Sequence, residues 1–69
     1  MDNKYKAHFV VPCVEFQEDI DHFSDVIRNA GGTIVDEQWN GEEDEYAVIL
    51  YECQDQKTLR LVQRELEIA

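Results

Sequence analysis

Sixty-nine residues make one small domain, and its outlying property is charge: 16 acidic against 6 basic side chains give a net charge of −10. A chain this acidic is repelled by DNA, RNA and anionic lipid, so direct binding to any of these is excluded as an expectation. An apolar share of 43% is that of a folded protein rather than a disordered one, and no apolar run is long enough to span a bilayer.

The first predicted strand covers 4–14. Alternation sets Tyr5, Ala7, Phe9, Val11 and Cys13 on one face and Lys6, His8 and Val10 on the other. Pro12 lacks an N–H, which suits an edge strand or the point where pairing ends. A helix follows over 18–30, where Ile20, Phe23, Ile27 and Ala30 recur at helical spacing with Val26 beside them. Glu18, Asp19 and Asp21 favour its first turn through the helix dipole, and Gly31-Gly32 stops it.

The second strand is expected over 33–39, and Asn40-Gly41 is a hairpin signal. A two-residue turn there would set Glu37 opposite Asp44, a repulsive pair. A longer loop through Glu43 avoids this and would pair Val35 with Val48 and Glu37 with Tyr46. The third strand runs over 45–53 and contains the most apolar stretch, Tyr46 to Cys53, broken only by Glu52. Asp55 is placed to cap a last helix, with Leu59, Val62 and Leu66 inward and Leu61 helping.

The fold class is therefore α+β, in the order β-α-β-β-α. A right-handed crossover makes the first two strands parallel. The most apolar strand wants neighbours on both sides, so the third is expected between them, antiparallel to both. The result is a three-stranded sheet of order 1-3-2 with two helices on one face. This layout resembles the split β-α-β, ferredoxin-like architecture without its last strand. It puts Cys13 and Cys53 at opposite ends of neighbouring strands, roughly 20 Å apart, which predicts two free thiols. Free thiols, and an N-terminus that opens on a mixed polar run, point to a cytoplasmic protein.

The same topology is expected to gather carboxylates at one pole: Glu15, Glu18, Asp19 and Asp21, the hairpin, and Glu65 and Glu67 from the last helix. The candidate partner-binding residues are Asp36, Glu37, Trp39, Glu42, Glu43, Asp44 and Glu45. Such a cluster fits a basic surface, as a mimic of nucleic-acid phosphates or simply as a docking patch, with Trp39 as an anchor. Size and charge are similar to those of small acidic inhibitors encoded by phages.

Nothing in the chain points to catalysis. Cys13 and His22 lack a third orienting group and an oxyanion signature, and an acidic surround opposes thiolate formation. The histidines and cysteines lack zinc spacing, the EF-hand pattern is absent, and Gly31-Gly32 is followed by no Lys-Ser/Thr. No metal or other cofactor is expected. The leading expectation is a non-enzymatic protein-binding module, an inhibitor or DNA mimic, docking on a basic protein that handles nucleic acid. The alternatives are a dimeric ligand-binding regulatory domain with its pocket at Gly31-Gly32, and a structural subunit. Either could form a homodimer through a sheet edge or the open sheet face.

Overall fold

Alternation in the third strand decides the architecture. In the computed structural model, which describes residues 4–41 and 45–69, this strand is β3 (Ala47–Cys53), and its odd-numbered residues Ala47, Ile49, Tyr51 and Cys53 are all buried. The even-numbered Val48, Leu50 and Glu52 point to the other face and are half-buried. β1 (Tyr5–Val11) and β2 (Thr33–Gln38) flank it, both antiparallel to β3, giving the sheet order β1-β3-β2. The helices α1 (Gln17–Asn29) and α2 (Gln56–Ile68) pack Ile20, Ile27, Val62 and Leu66 onto the odd face of β3, in one core. The expected α+β fold, strand order and one-sided helix layer are therefore present.

Each helix is bounded by chemistry that the sequence carries. The N-cap of α1, Phe16, has no side-chain acceptor, so Asp19 reaches back and accepts from the backbone N–H groups of Glu15 and Phe16 at 2.9 and 3.0 Å. Those two donors hold the Asp19 carboxyl below its ordinary pKa. At the other end the N–H of Gly31 bonds Arg28 and that of Gly32 bonds Ile27, the double closure of a Schellman motif. Gly31 has φ +105°, a conformation that side chains resist. Asp55 caps α2 by accepting from the Thr58 N–H at 2.7 Å, which also lowers its pKa.

Three local expectations are corrected. The first strand does not reach residue 14. Pro12 ends the pairing at Val11, and Cys13 turns left-handed at φ +54°. That turn reverses the alternation, so Cys13 is exposed and Val14 is buried instead, its N–H bonded to the Glu45 carbonyl at 2.8 Å. Leu61 faces solvent rather than the core. The third correction is the hairpin register. Glu37 lies opposite Ile49 and Gln38 opposite Val48, so the connection spans 39–46 and is longer than expected.

Candidate interaction surfaces

The register change comes with a β-bulge, and the bulge redistributes the candidate residues. β1 pairs with β3 without a break, from Tyr5 opposite Cys53 to Val11 opposite Ala47. β2 pairs Ile34 with Tyr51 but Asp36 with Leu50, which leaves Val35 as an extra residue with no partner on β3. Beyond it the alternation is inverted. Asp36 takes the open face beside Leu50, and Glu37 turns inward beside Ile49.

Glu37 is therefore half-buried against α1, while still lining the cleft that holds Trp39. Its carboxylate accepts a hydrogen bond from the hydroxyl of Ser24 on α1, the one buried polar side chain among the described residues. Ser24 lies on the inner stripe of α1 between Ile20 and Ile27, and its spacing was the available signal for this role. A hydroxyl on that stripe and an inward carboxylate each supply what the other lacks, because a buried polar group without a partner is costly.

Asp36 lies midway along the edge strand β2, where its carboxylate accepts from the N–H of Glu37 at 2.9 Å and the side-chain amide of Gln38 at 3.3 Å. Trp39 is half-buried and packed against the core, and it shares a shallow cleft with Tyr46 and Val48. Glu45 is exposed and lines a cleft with Cys13, Val14 and Glu15. Glu42, Glu43 and Asp44 lie outside the described residues. The four described candidates thus do not form one patch: Glu37 is half-buried against α1 beside the Trp39 cleft, Asp36 is on the open face, and Trp39 and Glu45 stand near the hairpin root.

The acidic pole is narrower than expected. Glu65 shares a cleft with Val26, Asn29 and Ala30, beside the last turns of α1 rather than its first. Glu67 lies with His8, Phe9 and Tyr51. What remains together is Glu15 and Glu45 at the root of the hairpin. Glu18, Asp21 and Asp25 continue from them, exposed and spaced by three and four along α1. Arg28 pairs with Asp25 at 3.1 Å at the far end of this row.

The open face of the sheet is a different kind of surface. Its rows are Lys6, Glu52 and Thr33; then His8, Leu50 and Asp36; then Val10, Val48 and Gln38. Val10 is 46% exposed, and Val35 and Tyr46 nearby are 57% and 59% exposed. Lys4 reaches Glu52 at 3.3 Å at one end.

The thiols are free, Cys13 exposed and Cys53 buried, as their positions at opposite sheet ends require. Burial, with the nearby Asp55 charge, raises the pKa of Cys53, and burial raises that of Tyr51. Among the described residues no three His, Cys, Asp or Glu side chains converge on a metal site, and no helix is long and apolar enough to cross a membrane. At Gly32 an added Cβ would sit 2.6 Å from Ile27 and 3.5 Å from Val62, so the absent side chain lets the end of α1 pack closely against α2.

Comparison with protein-family models, with curated proteins and with solved structures finds no match.

Proposed function

We propose that the chain is a non-enzymatic protein-binding module that docks its acidic surface on a basic protein, of the kind that handles nucleic acid. The observation that supports this most is the row of exposed carboxylates from the hairpin root along α1: Glu45, Glu15, Glu18, Asp21 and Asp25. Successive carboxylates three or four positions apart on a helix stand roughly 5–6 Å apart, close enough to act as a line of charge. A basic groove that normally receives phosphates reads such a line by charge and spacing, not by base identity. Inhibition by occupying that groove is the corresponding mode of action. Glu42, Glu43 and Asp44 add three formal charges directly before Glu45 in the sequence.

Electrostatic docking of this type is fast and falls with ionic strength. The test is binding to a purified basic DNA-binding protein, with duplex DNA as competitor, at low and high salt. Wild-type chain is expected to displace the duplex at low salt and to lose that ability at high salt. A variant with Glu15→Gln, Glu18→Gln, Asp21→Asn and Glu45→Gln is expected to displace it poorly throughout, as is one with Glu42, Glu43 and Asp44 neutralised. Equal displacement by wild type and both variants would overturn the reading.

A further inference from the structure

We propose that the open face of the sheet is the interface of a homodimer in which two copies stack sheet on sheet. The proposal is independent of the acidic-surface reading and rests on the charge pattern of the face. Lys4 and Lys6 contribute two positive charges there, and Asp36 and Glu52 two negative ones, so the face is formally neutral. The rest of the chain carries all of the −10. A surface meant for a basic partner would share in that excess. This one has lost it and presents Leu50 at its centre, with Val48 and Val10 adjoining it toward one end. With its two positive and two negative charges balanced, this face, unlike the rest of the chain, can approach a second copy of itself without net repulsion across the contact.

The pattern is also self-complementary. Consider a two-fold axis lying between the sheets, parallel to β3. It sets β1 of one copy over β2 of the other and keeps every row at its own level. His8 then faces Asp36 of the second copy, twice by symmetry, and Val48 and Leu50 meet their own counterparts. Glu52 also approaches its counterpart, but Lys4 holds each carboxylate at 3.3 Å. An axis perpendicular to the strands through the Leu50 row would stack Asp36 on Asp36, so the charges select the first arrangement. Aligned stacking of this kind is the common geometry for two sheets, about 10 Å apart.

Size and edges agree. Seven-residue strands, three abreast, give a face of roughly 24 by 15 Å. Two such faces of about 360 Å² each would bury roughly 700 Å² of projected area in total, which fits only a weak, transient interface, so the dimer is expected to dissociate on dilution. Association through a sheet edge is disfavoured. Pro12 ends one edge strand and the bulge at Val35 distorts the other.

Sedimentation velocity over a wide concentration range tests this. The expected result is a monomer of 8.1 kDa converting to a species of twice that mass as concentration rises. Salt should promote the dimer, because it screens repulsion between two strongly negative copies, which is the opposite sign from the docking test above. Val48→Lys with Leu50→Lys should give a monomer with an unchanged circular dichroism spectrum, since both sites face away from the core. His8→Asp should weaken the dimer, and adding Asp36→Lys should restore it. A monomer at every concentration and salt would overturn the proposal. So would a dimer that survives the two lysines, which would instead be edge-paired, or a His8→Asp variant that associates like wild type. Loss of binding to the basic protein in the lysine variant, with wild type monomeric, would assign the face to that partner and overturn the homodimer.

Discussion

The two ladders of β3 treat one alternating strand in two ways. Against β1 the pairing is unbroken over seven residues, and each β1 side chain lies on the face that its position in the alternation assigns. Against β2 the pairing skips Val35, and every residue beyond it lies on the face opposite to the one simple alternation assigns. The difference shows that a bulge acts as a sorting device. One extra residue sends Asp36 to the open face and draws Glu37 under α1, where Ser24 supplies its donor.

Deleting one residue from each flanking strand is the most severe test of that contrast. Removing His8 shifts the rest of β1 by one place, exposes Phe9 and Val11 and buries Val10 out of register; loss of the cooperative thermal transition is the expected outcome. Removing Val35 leaves Asp36 opposite Leu50 and Glu37 opposite Ile49, in a regular ladder. That deletion should keep the fold and change stability by about 1 kcal/mol or less.

The next largest effect compares the two faces of β3. Ile49→Ala empties a fully buried site and should cost about 3–4 kcal/mol in urea denaturation, whereas Leu50→Ala on the open face should cost about 1 kcal/mol or less. Similar losses at both positions would mean that both faces are covered to the same extent, and the concentration dependence of that result would report on the dimer.

Ser24→Ala probes the far side of the bulge. It leaves the half-buried Glu37 carboxylate without its donor and should cost about 1–2 kcal/mol. In the Val35 deletion the same substitution should cost the same, because the pairing of Glu37 is unchanged.

The smallest effect is in pH. Asp19 and Asp55 have folded pKa values below their unfolded ones, so their contribution is complete above the unfolded carboxylate range, near pH 4 and higher, and is lost as pH falls through the depressed values. Asp19→Asn and Asp55→Asn should each flatten the acid limb of a stability-versus-pH curve. Tyr51 and Cys53 act at the other end. Their raised pKa values give stability that is full below about pH 8.5 and declines as pH rises toward and through the folded values.

The element order and strand order were legible in the sequence because they rest on strong local signals. These were the apolar run of β3, the stripe of α1, the Gly31-Gly32 stop and the Asp55 cap. The distribution of the carboxylates was not legible, and the cause is Val35. Thr33-Ile34-Val35-Asp36 contains no glycine or other mark of a bulge, so alternation carried through it and placed Glu37 on the wrong side. Asn40-Gly41 was also a weaker guide than it looked. Four consecutive carboxylates follow it, and a tight turn would press them against the acidic end of β2. Only Pro12 gave notice that the first strand would stop early, and the left-handed turn at Cys13 that buries Val14 left no further trace in composition.

That turn has a practical consequence for anyone measuring this molecule. It leaves one sulfhydryl at the surface, while the other is shielded in the core and held in its protonated form. A spin label or fluorophore should therefore react at a single place without mutagenesis. In the stacked pair two such labels would share one end of the assembly, with backbones about 14 Å apart from the sheet and strand spacings. A two-fold perpendicular to the strands would send them to opposite ends, more than about 20 Å apart. The protein carries its own ruler for the orientation of its copies.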